Sequence, residues 1–559
     1  MPPPIPLTQC PAPSLDWSRA DTPAATDFGD IYFSTDGGLE ETKAVFLQGC
    51  GLPKAWEDQA VFTISELGFG SGLNFLACWQ LWNKTTNGKQ RLHFLSFEKF
   101  PFSQKDLKQA LKVWPELSEL AEHLIKQWPG RVRGFHRLDF GSVQLTLIHE
   151  DIDAALDQVS NLKSNAWFLD GFSPSKNSDM WSPSVLKRIG ENSANHARLA
   201  SFSVAGSVRT GLIDAGFEVL KKPGFGRKRH RLEAVYSKPI QHTPIDPDRV
   251  LIVGAGIAGR SLARALEKRH IAYDLIDSGD HPSASGNPAA LVKPRFDLQD
   301  RPESRFFLSS YLYALKSYNG PATIETGILQ IPKTDAEAKR FQKLVTQNPL
   351  GDEHLDYSEK GLFIASARII DPALIFSDLD IKKQKYDPSV DDKYSHIIFA
   401  AGYGIHMLAP ELEMRYSRGQ LSWASQRIEH PIAYGGYAIP LGSQSLVGAT
   451  HDRLGASDPF ETRPGDDEKN LASYTEITGE TLNLSSKTGR ASVRVTTKNT
   501  MPQIAKLGDK KWALTGLGSR GFTYAPLLAE ALISKICNEV APLEKALIAQ
   551  VFTETTPDD

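Results

Sequence analysis

Cysteine is scarce in this chain. Its four copies, Cys10, Cys50, Cys78 and Cys537, lie far apart and form no CxxC pair. That spacing argues against a disulfide framework or a structural zinc site, and it fits a reducing compartment. No other metal-ligand spacing stands out, so no metal is expected. Long apolar runs are missing too. Nothing approaches the roughly 18 residues that would span a bilayer, and no membrane partner is expected. Met1 to Pro13 is rich in proline but lacks the basic start and apolar stretch of a signal peptide, which makes the cytoplasm the expected location. A strong charge excess is also lacking, the formal net charge being −3. Such a balance does not advertise a nucleic-acid binder, although a local basic patch can still meet a phosphate backbone. Internal repeats and low-complexity tracts are absent.

The chain does have length, 559 residues, too many for one hydrophobic core. Two stretches read as strand, glycine-rich turn and helix: VFTISELGFGSG (61–72) before LNFLA, and VLIVGAGIAG (250–259) before RSLARAL. Each has a short apolar run suited to a buried parallel strand, then glycines, then a helical period. Between them, residues 237–248 carry Pro239, Pro244 and Pro247 among polar residues, a semi-rigid linker. The expected partition is one α/β domain over 1–238, a linker over 239–249 and a second α/β domain over 250–559.

In the first opening, Glu66 ends the strand and Gly68, Gly70 and Gly72 alternate with other residues. Glycine lets the backbone pass close to a ligand. An acidic strand end suits the cationic amino group of a methionine moiety better than a phosphate. The GxGxG spacing also differs from the Walker loop and the dinucleotide fingerprint. A second strand, LHFLSF (92–97), ends at Glu98, where a doubly wound sheet presents a ribose-binding carboxylate. Plain tight turns with exposed carboxylates would carry the same pattern. A third strand, NAWFL (165–169), runs into Asp170, Gly171, Phe172, Ser173 and Pro174. That string resembles the Asp-Pro-Pro-Tyr loop of amino-group methyltransferases, whose reaction needs a neutral amine aligned on a sulfonium methyl, so positioning dominates. Asp170 is suited to take the amine's proton and Phe172 to stack on a base, while an Asp after a strand also commonly caps a helix. S-adenosylmethionine is therefore the expected co-substrate of this half. The densest basic segment, KKPGFGRKRHR (221–231), offers Arg227, Lys228 and Arg229 to RNA phosphates with Phe225 for an unpaired base. A solvated charged face is the plainer alternative.

In the second opening, Gly254, Gly256 and Gly259 form GxGxxG, and the strand AYDLI (272–276) ends at Asp277, near the offset of a ribose-binding acid. The helix N-terminus after the glycines favours a pyrophosphate. Ser285, Gly286 and Asn287 sit in a small-residue loop, SGNPAALVKP, that resembles the loop of amine-oxidising flavoproteins related to glycine and D-amino-acid oxidases. HIIFAAG (396–402) brings Gly402 after another strand, and WALTGLGSRG (512–521) brings Gly516, Gly518 and Gly521 between a late strand and an apolar helix. Such a helix N-terminus suits the carbonyl edge of a flavin, which a nicotinamide enzyme does not need. FAD is therefore expected. The stretch from about residue 311 to 500 reads as an inserted β-rich substrate domain. Within it the place of Arg494 resembles that of the substrate-carboxylate arginine of amino-acid oxidases, though it equally suits a surface strand. Arg520 is expected near substrate or cofactor.

Taken together, ELGFGSGLNFL (66–76), LSFEKFP (95–101), WFLDGFSPSKNSDMW (167–181), GFGRKRHRL (224–232), SGNPAALVKPRFD (285–297) and LGSRGFTYAPLLAE (517–530) resemble the bifunctional tRNA 5-methylaminomethyl-2-thiouridine biosynthesis family. His230 departs from that pattern, standing where an acidic residue is expected. The resemblance implies a Rossmann-like methyltransferase domain fused to an FAD-binding Rossmann domain of the glycine/D-amino-acid oxidase type. It further implies a tRNA wobble uridine as substrate. The flavin domain would remove the carboxymethyl group of 5-carboxymethylaminomethyluridine, and the other domain would methylate the freed amine. A monomer is expected. Two other readings stay open at this point: a small-molecule amine oxidase fused to an unrelated methyltransferase, and a non-catalytic tRNA scaffold.

Overall fold

The computed structural model describes residues 4–18, 22–33, 37–226, 228–238, 244–318, 320–351, 354–454 and 459–554. They form two compact units. One contains β1 (Val61–Leu67), β2 (Arg91–Phe97), β3 (Gly134–Phe140), β4 (Val143–His149), β5 (Ser164–Leu169), β6 (Ser193–Ser201), β7 (Phe217–Pro223) and β8 (His230–Tyr236). These make a single sheet in the order β7-β8-β6-β5-β1-β2-β4-β3. Strand β1 is parallel to both β2 and β5. Side chains alternate along a strand, so Phe94 and Phe168 enter one apolar cluster while Leu95, Trp167 and Leu169 enter another. Burial on both faces is why these strands read as continuous apolar runs. Because β2 and β5 leave β1 on opposite sides, the strand order reverses at β1, and a crevice opens at the strands' carboxyl ends. Helix α1 (Leu73–Thr85) starts from the glycine turn there, with Gly72 as its N-cap.

The other unit has two sheets. The first holds β9 (Arg249–Val253), β10 (Ala272–Asp277), β11 (His396–Phe399) and β14 (Lys511–Thr515), ordered Lys382–Lys383, β10, β9, β11, β14, Gln503–Lys506, Phe552–Glu554. Only the pairing of β14 with Gln503–Lys506 is antiparallel. Helix α2 (Ile257–Glu267) follows β9, and helix α3 (Gly521–Ile536) follows β14. Arg269, just beyond α2, forms a buried two-pronged pair with Glu530 of α3, at 2.6 and 3.1 Å. The second sheet has ten strands, including β12 (Arg415–Ala424) and β13 (Arg490–Thr496), and is largely antiparallel. This is the inserted β-rich layer expected from about residue 311 to 500, but it starts earlier in the chain. It begins at Ala290–Val292, and the chain returns β11 to the first sheet midway. Ile397, Ile398 and Phe399 of β11 are all buried, and a central parallel position supplies the two covered faces they require.

The units also exchange segments. Residues 4–8 group with 246–536 and 546–554, whereas 537–545 group with 9–245. The Leu7 and Asp300 amides donate to the Leu298 and Ile5 carbonyls. Glu539 pairs with Arg91 at 3.1 Å, the Val540 carbonyl accepts from Arg137 at 3.0 Å, and the Val540 side chain enters the apolar cluster of Trp167 and Leu199. No described helix is long and apolar enough to cross a membrane.

Candidate functional site

A cavity of about 470 Å³ lies where β1, β2 and β5 end, and Gly68, Gly70, Glu98, Asp170, Phe172 and Lys228 line it. Gly68 has φ +82°, and a Cβ there would come within 2.6 Å of the Asp170 carbonyl oxygen, so the β1 and β5 turns touch only because this residue is glycine. Glu98 accepts from the Gly70 and Phe100 amides at 2.9 and 2.8 Å. Both its oxygens are thereby fixed, while burial pushes its carboxyl above the ordinary range.

Glu66 is 1% exposed and stands behind the cavity wall. Its oxygens accept from Ser96 Oγ at 2.7 Å and Asn74 Nδ2 at 2.9 Å, and burial pushes its carboxyl well up. The same Asn74 Nδ2 donates to Asp170 Oδ2 at 2.7 Å, and Thr42 Oγ1 donates to Asn74 Oδ1 at 2.7 Å. Asn74, on α1, thus bridges two carboxylates. Burial pushes Asp170 up to about 7, opposed by the Asn74 hydrogen bond and the Lys228 charge and assisted by Glu41 and Asp30. A carboxylate of that basicity at the cavity wall is suited to accept a proton near neutral pH. Phe172 stacks on Phe28, with centroids 4.5 Å apart, and meets the edge of Tyr32.

The basic segment, Arg227 apart, runs from the end of β7 through the hairpin turn to the start of β8. Lys228 turns toward the cavity, with Nζ 2.9 Å from Glu41 Oε1 and 4.2 Å from the Phe202 ring centre. Arg229 is exposed, and Arg227 lies outside the described residues. This geometry fits S-adenosylmethionine. Glycine turns permit close backbone approach, Glu98 is a fixed acceptor for a diol, and Asp170 faces the same space.

The second unit holds a cavity of about 990 Å³ lined by Gly254, Gly256, Asp277, Ser285, Asn287, Gly402, Arg494, Gly516, Gly518, Arg520 and Gly521. Gly259 and Gly286 stand outside that lining. A Cβ on Gly259 would overlap the Gly254 carbonyl, so this glycine sets α2 close on β9. Asp277 accepts from the Ala255 and Gly279 amides at 2.7 and 2.8 Å, and Ser285 Oγ accepts from the Ile257 amide at 2.9 Å. Asn287 is held by Arg490. The acid at the end of β10 and the glycines at the strand-to-helix turns match FAD. Across the cavity, Arg494 on β13 contacts the Thr450 carbonyl weakly, at 3.4 Å. Burial pulls its guanidinium down and pushes Tyr437 up, each opposing the other's shift.

Asn74 and Lys293, inside the strings 66–76 and 285–297, and Tyr437 also line the cavities, with no role read for them from sequence. Lys293 donates to Gln330 Oε1 at 3.0 Å, and burial together with the nearby Arg520 charge pulls its ammonium down to about 7.

Comparison with known proteins matches residues 115–237 to a family described as S-adenosyl-L-methionine-dependent methyltransferase, and residues 249–378 to FAD dependent oxidoreductase. The tRNA 5-methylaminomethyl-2-thiouridine biosynthesis bifunctional protein of Maricaulis maris is 40% identical over 96% of this chain and 94% of its own length. That of Caulobacter vibrioides is 38% identical over 96% of each. A crystal structure of glycine oxidase from Geobacillus kaustophilus, 14% identical, covers 57% of this chain and all of that one, with a TM-score of 0.45.

Proposed function

The chain belongs to the family of bifunctional tRNA 5-methylaminomethyl-2-thiouridine biosynthesis proteins, and from that premise we propose how its two cavities share the work. It joins an S-adenosylmethionine-dependent methyltransferase to an FAD-dependent oxidoreductase, and it modifies the wobble uridine of tRNA. The oxidative unit removes the carboxymethyl group of 5-carboxymethylaminomethyl(-2-thio)uridine. The other unit methylates the freed amine. The order follows from chemistry, because the first reaction exposes the nitrogen that the second uses. We keep 1–238 and 250–559, joined at 239–249, as the functional division. The acting species is a monomer in this reading, which light scattering at the mass of one chain would support; no metal and a cytoplasmic location are part of the same proposal.

In the oxidative cavity, FAD when bound supplies the acceptor for a hydride from the carboxymethyl carbon. Arg494 pairs with the substrate carboxylate through its fork of N–H donors, and Arg520 adds positive charge beside it. The glycine turns and Asp277 hold the dinucleotide. In the methyl-transfer cavity, Glu98 holds the donor's ribose and Asp170 takes the proton of the incoming aminomethyl group. The Phe172–Phe28 stack walls the acceptor base. Arg229 and its neighbours at the hairpin tip meet the tRNA backbone.

The observation that carries the methyl-transfer assignment is Asp170 held by Asn74 at the wall of the donor cavity. Mass spectrometry of tRNA nucleosides after incubation with S-adenosylmethionine tests the whole scheme. Asp170→Ala should accumulate the aminomethyl product, and Gly256→Trp should leave the carboxymethylaminomethyl form. Normal methylation by Asp170→Ala would remove that residue from the mechanism.

A further inference from the structure

Oxidation of a secondary amine has a requirement that no arginine of the large cavity meets. The substrate amine is an ammonium in water at neutral pH, and its nitrogen lone pair must be free before the carboxymethyl C–H electron pair can leave. Guanidinium groups do not accept protons in this range, so Arg494 and Arg520 cannot free it. Tyr437 is pushed up by burial and holds its own proton.

Lys293 has the opposite character. It follows the short strand Ala290–Val292 and lines the cavity together with Gln330, Glu337, Arg340 and Arg520. Its Nζ donates to a neutral acceptor, Gln330 Oε1, at 3.0 Å. From the turn after β14, Arg520 disfavours a second positive charge, as does Arg340 from the helix Asp335–Gln347. Glu337 on that same helix opposes them. A neutral amine fits this setting. One N–H stays on Gln330, which orients the nitrogen, and the lone pair is left for the cavity.

We propose that Lys293 is the proton acceptor of the oxidative reaction, taking one proton from the substrate's secondary ammonium, and that Gln330 is its positioning partner. The inference rests on the oxidative reading given above. The proton moves from substrate nitrogen to Lys293 Nζ, giving a neutral amine. The C–H bond then breaks, its electron pair passing as hydride to the two-electron acceptor that FAD would supply, and a protonated C=N bond (an iminium) forms. Water adds to that bond, and the C–N bond breaks to give glyoxylate and the primary ammonium. The proton on Lys293 returns to solvent as product leaves.

The test uses the full-length FAD-loaded chain, mixed without oxygen with subsaturating tRNA carrying the carboxymethylaminomethyl group. Bleaching of the flavin is followed against pH. The wild-type rate should climb about tenfold per pH unit below 7 and level off above it. Lys293→Met should lose that break, slow by roughly 10²- to 10⁴-fold, and regain rate with added methylamine. Its tRNA affinity should stay within about twofold of wild type. Lys293→Arg should stay slow; a wild-type rate there would make Lys293 a fixed charge and overturn the proposal. So would survival of the break near pH 7 in Lys293→Met.

An independent readout needs no turnover. Acetylation of Lys293, followed by peptide mass spectrometry on FAD-free protein, should have its pH midpoint near 7. A midpoint in the ordinary lysine range overturns the proposal. If wild type fails to bleach with any tRNA, the functional reading itself falls, while the acetylation midpoint still decides the state of Lys293.

Discussion

Asn74→Ala removes one amide that serves two buried carboxylates. Its Nδ2 donates to Asp170 at 2.7 Å and to Glu66 at 2.9 Å. A hydrogen bond to a charged group contributes about 1.5–3 kcal/mol, which corresponds to about one to two pKa units. Asp170 already sits at about 7, raised by burial and held down by this bond. Without it, the carboxyl should rise to roughly 8–9 by the same conversion. The base works only when ionised, so activity is lost as pH falls through that value. At pH 7 the ionised fraction should drop from about one half to between about a tenth and a hundredth, and methylation should slow roughly 5- to 50-fold. Most of the loss should return near pH 9. The assay is single-turnover methyl transfer to aminomethyl tRNA between pH 6 and 9.5, with the product nucleoside read by mass spectrometry. A uniform fall at every pH, with the acid limb unmoved, would refute the reasoning and leave Asn74 as a packing residue.

Lys228→Met should move the same limb upward by less than one pH unit, because its side chain is 47% exposed and solvent screens its charge. Gly68→Ala should weaken S-adenosylmethionine binding at least tenfold by calorimetry, since a Cβ at φ +82° meets the Asp170 carbonyl. Arg494→Met should lower kcat/KM for carboxymethylaminomethyl tRNA by roughly 10²-fold, consistent with loss of about 2–3 kcal/mol from one partner of a charge pair, with FAD content unchanged. Arg229→Ala should reduce the slope of log affinity for tRNA against log salt by about one.

Much of both sites was legible because strand-to-helix turns carry their chemistry in contiguous residues. Gly68, Gly70 and Glu98 follow β1 and β2, and Gly254, Gly256 and Asp277 follow β9 and β10, so local strings locate them. Contributions from elsewhere were illegible for physical reasons. Asn74 meets Asp170 across 96 residues of sequence, and only the pairing of β1 with β5 brings them together. Glu66 shows why a motif does not fix a side chain's direction. It belongs to β1, and strand alternation turns its carboxylate into the packed interior toward Ser96. Lys228 reads as one of a run of charges, and only the hairpin's return directs it to Glu41. Lys293 is an ordinary lysine in sequence; its character comes from burial beside arginines on other elements.

The exchanged segments change what dividing this chain would mean. Residues 4–8 are built into the oxidative unit and 537–545 into the methyl-transfer unit. A single break between residues 239 and 243 should therefore leave two polypeptides that still co-elute, each holding part of the other's fold through contacts such as Arg91 to Glu539. Fission of the gene at that point would hand each product a borrowed piece and deprive it of one of its own. Splitting the pair cleanly calls for rebuilding two packing sites as well as cutting a linker, a barrier that favours keeping both activities in one gene.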